Sequence, residues 1–158
     1  MNFVVFLDVD GVLNTGRTCQ RSPGGYGGVD ELRVEILAKA IEKYERVELV
    51  LTSDWKNLIE TDEDYQYLIS RLGMYGLKIA GKTIDHWSNR GQGILDYLVA
   101  HPEIDDFVIL DDHTFDFQEH KMLWERLILT EGIERARLAS KTPEVETMIF
   151  LEYIQMFS

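Results

Sequence analysis

Three short apolar runs in the sequence predict buried strands. They cover Phe3–Leu7, Val47–Leu51 and Phe107–Leu110, and each ends at polar residues. Continuous apolar runs of this length are typical of central strands in a parallel sheet, because both faces of such a sheet are covered. Weaker runs at Leu77–Ala80 and Leu127–Leu129 predict two further strands, so the sheet is expected to have five.

Four segments with helical spacing separate or follow these strands. One helix is capped by Asp30, a second runs from Thr61 and stops at Gly73, a third covers Gly91 to Ala100, and a fourth begins at Pro143. Strands that alternate with helices predict an α/β fold with a mainly parallel sheet. With 158 residues, the chain is expected to form a single domain, residues 1–158.

The sequence is acidic, with 16 Lys and Arg against 28 Asp and Glu and a formal net charge of −12 at pH 7. This charge repels polyanions, so it argues against an extended nucleic-acid groove. Cys19 is the single cysteine and cannot form an internal disulfide, which is typical of a reducing compartment. No apolar stretch approaches the roughly 20 residues that span a bilayer, so a cytoplasmic protein without membrane contacts is expected.

Chemically reactive side chains follow each of the three strong strands. The first strand leads into Asp8–Asn14, the second into Thr52–Lys56 and the third into Asp111–Asp116. Because the carboxyl ends of parallel strands meet at one edge of a sheet, where ligands bind, these segments are expected to form one site. The acidic residues in it are Asp8, Asp10, Asp111, Asp112 and Asp116.

Five carboxylates in one cleft would raise each other's pKa, and a divalent cation would relieve their repulsion. Oxygen-only ligands of this kind suit Mg²⁺. A carboxylate can also act as a nucleophile towards phosphorus, and a second one two residues along can protonate the leaving group. Other metal sites do not match: Leu13 and Cys19 stand where an EF-hand loop needs Gly and Glu, and one cysteine excludes a thiolate zinc site.

Together these segments resemble the motifs of the haloacid dehalogenase-like (HAD) superfamily. Phe6–Asn14 is similar to its first motif, hhhDxDGxxN, where h is an apolar residue. Thr52, or Ser53 beside it, is similar to the hydroxyl of the second motif, and Arg90 to the basic residue of the third. Asp111–Asp116 is similar to the acidic DDxxxD of the fourth. The resemblance covers about residues 1–130 and implies a Rossmann-like three-layer sandwich, the HAD-like core.

The resemblance also implies a role for each matched residue. Asp8 would be the nucleophile and Asp10 the general acid and base. Thr52 would hydrogen-bond the transferring phosphoryl group, and Arg90 would neutralise its charge. Phosphoryl transfer needs these residue types because its catalysis is mostly positioning and charge neutralisation. The implied phosphate-binding positions are Gly11, Thr52, Ser53 and Arg90.

Mg²⁺ is the cofactor that the resemblance implies. It would be held by the side chains of Asp8 and Asp112 and by the backbone carbonyl of Asp10, with Asp111 as a further or alternative ligand. The metal would therefore join the first and fourth motifs.

Two of these assignments have rivals in the sequence. Ser53 competes with Thr52 for the second motif, although the preceding strand favours Thr52 as the next residue. Lys56 or Lys82 could replace Arg90 as the third basic residue, because Lys is commoner than Arg at that position of the family. The sequence alone leaves both questions open.

The function that the resemblance implies is a magnesium-dependent phosphatase, which would hydrolyse a phosphomonoester through an aspartyl-phosphate on Asp8. Members that dehalogenate lack the second Asp and P-type ATPases carry Thr there, so Asp10 favours phosphatase or phosphomutase chemistry. The alternatives are a phosphotransferase or mutase, and a catalytically weak metal-binding regulatory domain.

Segment lengths predict that no separate cap domain covers the cleft, since Gly16–Val29 is the only spare segment after the first motif. An open cleft favours a large or end-phosphorylated substrate, and Arg17 and Arg21 could contact a second anionic group on it. The phosphorylated substrate could be a small molecule, a protein or a nucleic-acid end.

Two further observations concern partners. Ser53-x-Trp55-Lys56 resembles the signature of a subgroup of small bacterial and phage members, some of which look like RNA-repair phosphatases. The predicted C-terminal helix carries an apolar face that could form the contact of a homodimer. Its members are Phe150, Tyr153, Ile154 and Phe157.

Overall fold

A six-stranded sheet forms the centre of the computed structural model, which describes residues 2–85 and 89–140. The strands are β1 (Phe3–Leu7), β2 (Val47–Leu51), β3 (Ile79–Lys82), β4 (Asp106–Asp111), β5 (Leu127–Thr130) and β6 (Ala136–Leu138). Their spatial order is β3-β2-β1-β4-β5-β6. The first five strands run parallel, and β6 is antiparallel to β5.

Helices cover both faces of this sheet. They are α1 (Glu31–Ile41), α2 (Glu63–Gly73), α3 (Arg90–Ala100) and the single turn α4 (Lys121–Trp124), with 3-10 helices at Asp54–Asn57 and Phe117–Glu119. Leu37 of α1 and Leu68 of α2 are buried in the cluster on one face, and Ile94 of α3 is buried in the cluster on the other. The predicted three-layer α/β sandwich is therefore confirmed.

Strand β1 lies in the middle of the sheet and is buried along its whole length. Phe3, Val5 and Leu7 face α1 and α2, whereas Val4 and Phe6 face α3. Both sides of the strand are covered, which explains why its sequence is continuously apolar rather than alternating. The predicted bounds of β1 and β2 are confirmed.

The start of α2 and the start of β3 differ from the sequence prediction. The second helix begins at Glu63 and not at Thr61, and Gly73 is its last helical residue. The chain reverses at Gly76, whose φ is +76°, and the Leu77 N–H closes the turn on the Leu72 carbonyl at 3.0 Å. Because the Leu77 N–H is engaged in this 6→1 hydrogen bond, β3 begins at Ile79, two residues later than predicted.

The sixth strand was not predicted from the sequence. Residues 136–138 form only three residues of ladder, with Arg137 exposed between buried Ala136 and Leu138. So short a segment carries too few alternating positions to be recognised as a strand. It pairs with β5 after a turn at Gly132, whose φ is +75°, and extends the expected five-stranded sheet to six.

The predicted C-terminal helix from Pro143, with its apolar face, lies outside the described residues. The connection between β1 and α1 contains a segment that we call the flap, residues 15–29, in which Arg21 and Gly27 form an isolated antiparallel bridge. Within residues 2–85 and 89–140, no helix is both long enough and apolar enough to cross a membrane.

Phe6→Ala is expected to lower the free energy of unfolding by about 3–5 kcal/mol. The Phe6 ring is fully buried and meets the rings of Tyr97 and Phe107 edge-on, each at a centroid distance of 5.7 Å. Urea unfolding would measure the loss. Val99→Ala, at an 83% exposed position, is the control and should change stability by no more than about 0.5 kcal/mol. Equal losses in both variants would contradict this account of the core.

Candidate active site

The ends of β1, β2 and β4 lie side by side at the carboxyl edge of the sheet. Pairing is in register, so Leu7 lies level with Leu51 and Leu110. The Asp8 N–H continues the ladder by donating to the Leu110 carbonyl at 2.9 Å. The Thr52 N–H likewise donates to the Leu7 carbonyl at 2.9 Å. The residues that meet at this edge are Asp8, Thr52 and Asp111.

Arg90, the first residue of α3, contacts two of the acidic side chains. Its Nη1 lies 2.7 Å from Asp111 Oδ2 and 3.3 Å from Asp8 Oδ1. All three residues are buried, Asp111 completely. The second oxygen of Asp111 accepts the His113 N–H at 3.0 Å. Asp111 therefore has both oxygens occupied and fixes the guanidinium against Asp8.

The two lysines that rival Arg90 have other partners. Lys56 Nζ lies 2.8 Å from Asp85 Oδ1, in an ion pair whose side chains are both more than nine-tenths buried. Lys82 Nζ donates to the Leu58 carbonyl at 3.0 Å. Of these three basic residues, the structure brings Arg90 to Asp8.

Burial and neighbouring charge act on the same carboxyl group. Removal from water, together with the charges of Asp111 and Asp112, raises the pKa of Asp8 from 3.8 to about 9 against the opposing effect of Arg90. Burial also raises the pKa of Asp111, to about 6, although Arg90 and the His113 N–H act in the opposite direction. One arginine therefore does not compensate the acidic cluster fully.

The loop after β1 is shaped by a glycine and an asparagine. Gly11 has φ +85°, and a Cβ there would lie 2.2 Å from Asp112 Oδ2, so only glycine fits without rearrangement. Asn14 accepts the Gly11 N–H at 3.0 Å and donates to Asp10 Oδ1 at 2.8 Å and to the Gly28 carbonyl at 2.7 Å. Asp10 is thereby held at the exposed mouth of the site. Asn14 was visible in the hhhDxDGxxN pattern, but the sequence did not show these contacts.

The hydroxyls of Thr52 and Ser53 differ in whether they already have a hydrogen-bond partner. Ser53 Oγ accepts the Trp55 N–H at 3.3 Å at the start of the 3-10 helix. Thr52 Oγ1 is buried and has no hydrogen-bond partner within the described part of the chain. An unsatisfied buried hydroxyl is costly, and a phosphoryl oxygen beside it would supply the missing partner.

Asp116, which the sequence grouped with the other four carboxylates, is bound to the start of α3. Its two oxygens accept the N–H groups of Gly91 at 2.6 Å and Gln92 at 3.0 Å. These N–H groups belong to the first turn of α3 and have no carbonyl partner inside the helix. Asp116 therefore caps the helix that carries Arg90, which is a role that only the folded chain reveals.

Phe115 covers the other side of Arg90. The Arg90 Cζ lies 4.2 Å from the centroid of the ring, a distance at which a guanidinium is attracted to an aromatic face. The Phe115 backbone has φ +40°, which is an uncommon conformation for a residue with a side chain. Sequence reasoning missed this residue because no motif requires an aromatic side chain there.

Comparison with known proteins identifies the family of this chain. A family model described as the HAD domain in Swiss Army Knife RNA repair proteins matches residues 4–134. The chain belongs to this family. The match contains Asp8, Thr52, Arg90 and Asp111, and it identifies a HAD-like hydrolase. No curated protein and no solved structure matches the chain.

The donor atoms of this HAD domain fit a hard divalent cation. The carboxyl groups of Asp8 and Asp112 approach closely enough to share a hydrogen bond, which two ionised carboxylates cannot do. Mg²⁺ would replace that proton, held by Asp8, Asp112 and the backbone carbonyl of Asp10. Asp111 is engaged by Arg90, and its assignment as a further or alternative metal ligand stays a prediction.

Two further groups of side chains could hold a metal ion by proximity alone, each with ligand atoms within 4.8 Å of one another. The first adds His113 to the acidic pair after β4. The second contains the carboxylate that caps α3. Their members are Asp111, Asp112 and His113, and Asp116, Glu119 and His120.

Asp116→Ala is expected to destabilise the HAD domain by about 1–2 kcal/mol, because the first turn of α3 loses its cap. Urea unfolding would measure the change. Asp96→Ala removes the same charge from an exposed position of the same helix and should cost no more than about 0.5 kcal/mol. Equal effects would show that charge, and not capping, is responsible.

Asp8→Asn is expected to stabilise the metal-free protein, increasingly so from pH 5 to pH 8. Between pH 3.8 and about 9 the folded state retains a proton on Asp8 that the unfolded state releases. The contribution of Asp8 to stability is therefore greatest below pH 4 and falls as the pH rises to about 9, by up to about 1.4 kcal/mol per pH unit.

Melting curves in EDTA, with Asp96→Asn as the control, would test this dependence on pH. A difference in Tm between Asp8→Asn and wild type that stays constant from pH 5 to pH 8 would contradict it.

Proposed function

We propose that this HAD domain is a magnesium-dependent phosphatase that hydrolyses a phosphomonoester through an aspartyl-phosphate on Asp8. The observation that carries the proposal is the position of the Asp8 carboxyl group. It is buried between Arg90 and Asp112 and lies at the same sheet edge as the unpartnered hydroxyl of Thr52. A phosphoryl group placed there would meet a nucleophile, a cation and a hydrogen-bond donor together.

The first half-reaction transfers the phosphoryl group to the protein. An Asp8 oxygen attacks phosphorus, the bond from phosphorus to the ester oxygen breaks, and Asp10 gives its proton to the departing alkoxide. Arg90 and the Thr52 hydroxyl stabilise the charge on the phosphoryl oxygens during transfer. The exposed position of Asp10 at the mouth of the site suits its contact with the leaving group.

The second half-reaction releases phosphate. Asp10, now ionised, takes a proton from water, the water oxygen attacks phosphorus, and the bond between phosphorus and Asp8 breaks. Mg²⁺ held by Asp8, Asp112 and the Asp10 carbonyl would supply positive charge to stabilise the phosphoryl group. Asp8 needs that charge to be ionised near neutral pH, because burial raises its pKa so strongly.

A phosphorylated end of a nucleic acid is the substrate that we propose. The family is named for RNA repair proteins. The net charge of −12 disfavours a long contact with a polyanion but allows one that is confined to the last nucleotides. A phosphotransferase would need to shield the intermediate from water, and the position of Asp10 at the mouth favours hydrolysis instead.

Release of inorganic phosphate from a phosphate-ended oligonucleotide and from an aryl phosphate, in Mg²⁺ and in EDTA, tests the proposal. Asp8→Asn should abolish turnover and Asp10→Asn should lower kcat by about 10²–10⁴-fold. Thr52→Val should lower kcat by about 10²-fold, because one donor to the phosphoryl group is lost. Asp96→Asn, on the exposed face of α3, is the control and should match wild type.

Two outcomes would overturn the proposal. Substantial turnover by Asp8→Asn would remove Asp8 as the nucleophile. A rise in Tm with Mg²⁺, without turnover of any phosphoester, would instead indicate a metal-binding regulatory domain.

A further inference from the structure

Two grooves extend from the active site at Asp10, and residues of the flap line both of them. The first has a volume of about 490 Å³ and is lined by Tyr26, Trp55 and Leu58 together with acidic residues. The second has a volume of about 330 Å³ and contains Arg21. Asp10 and Gly27 line both grooves, so the site, the first groove and the second groove meet at the mouth.

The first groove presents an aromatic side chain, Tyr26, on a backbone turn of the flap that is anchored to the core. The Tyr26 side chain is 70% exposed. Its backbone closes a tight turn, because the Tyr26 carbonyl accepts the Ser22 N–H at 2.9 Å. The Gly24 N–H donates to Asp64 Oδ1 of α2 at 2.7 Å and ties the turn to the core. A large exposed ring on an anchored turn is ready to stack on a planar group.

Charge determines what this groove can accept. Asp10, Asp54 and Asp64 line it, and no Lys or Arg is among its described lining residues. It therefore repels a phosphate group but accepts a flat, uncharged group that carries N–H donors. Nucleobases have this chemistry, and base–aromatic stacking does not depend on the base sequence.

The second groove differs from the first because a basic residue, Arg21, lines it. Arg21 is exposed, and no acidic side chain of the described residues lies within ion-pair distance of it. Asp112 and Asp10 also border the groove, but both belong to the proposed magnesium site. Arg21 is therefore the group in this groove that can receive an anion, and a guanidinium suits phosphate oxygens.

We infer that the leaving group is the terminal nucleoside of a nucleic-acid strand, with its base on Tyr26 and the next phosphodiester at Arg21. This inference rests on the proposed function. The sugar of a terminal nucleotide carries three substituents: the end phosphate, the base and the next phosphodiester. The site, the first groove and the second groove meet at Asp10, which is also the residue that protonates the sugar oxygen.

Four substrates separate these contacts. They are a short oligonucleotide with a terminal phosphate, the same strand with an abasic terminal sugar, a nucleoside monophosphate and a phosphopeptide. Each is tested with the phosphate at the 3′ and at the 5′ end where the chemistry allows, and in ribose and deoxyribose forms. The variants are Tyr26→Ala, Tyr26→Phe and Arg21→Ala, with Arg137→Ala, at an exposed position of β6 outside both grooves, as the control.

Tyr26→Ala is expected to raise KM for the base-bearing strand by about 5- to 100-fold with little change in kcat, because stacking binds the ground state and the transition state alike. The preference of wild type for the base-bearing over the abasic strand should disappear in this variant. Tyr26→Phe retains the ring and should behave as wild type does. Arg21→Ala should raise KM for the strand but not for the nucleoside monophosphate, and Arg137→Ala should change neither.

Equal effects of Tyr26→Ala on KM for the base-bearing and the abasic strand would overturn the inference. Turnover of the phosphopeptide that is faster than turnover of the oligonucleotide would also overturn it. Calorimetric binding of an unphosphorylated dinucleotide to wild type and Tyr26→Ala separates this inference from the proposed function. If the protein hydrolyses the phosphorylated strand but Tyr26→Ala does not weaken dinucleotide binding, this inference is overturned and the proposed phosphatase function stands. Binding that depends on Tyr26, without turnover of any phosphoester, retains the base groove and overturns the phosphatase.

Discussion

The Arg90 guanidinium, held between the carboxylates of Asp111 and Asp8, is the interaction on which the acidic site depends. Buried carboxylates are costly unless they are paired, and Asp111 is fully buried. Arg90 is itself positioned by the start of α3, which Asp116 caps, and by the ring of Phe115. Two residues of the loop after β4 therefore orient the basic side chain that meets the end of β1.

The main-chain geometry of the sheet explains why these side chains meet at all. In-register pairing of β1 with both neighbours brings the residues after each strand to the same edge. The loop after β1 is then anchored to the end of β5, since the Gly11 carbonyl accepts the Thr130 hydroxyl at 2.7 Å and the Gly132 N–H at 2.8 Å. Asp8 thus projects from a buried strand, whereas Asp10 lies in an anchored loop at the surface. In the proposed mechanism, this difference in burial suits Asp8 to attack phosphorus and Asp10 to exchange protons with solvent.

The distribution of charge around the mouth relates the site to its proposed substrate. The protein is acidic overall, and carboxylates line the groove below Tyr26. Arg90 supplies positive charge inside the site, and Arg21 supplies it in the second groove. Such an arrangement favours a short contact with a few phosphates over an extended one, because long-range repulsion acts on every additional phosphate.

The sequence by itself determined the strands Phe3–Leu7 and Val47–Leu51, the α/β class and the identity of the residues that follow the strands. These features depend on local hydrophobic patterns and on short motifs. Only the tertiary structure decided that Arg90, and not Lys56 or Lys82, lies beside Asp8, because that choice depends on where α3 begins relative to the sheet. The same is true of the unused Thr52 hydroxyl, of the cap formed by Asp116 and of β6. Each depends on contacts between residues far apart in the chain or on a segment too short to carry a pattern.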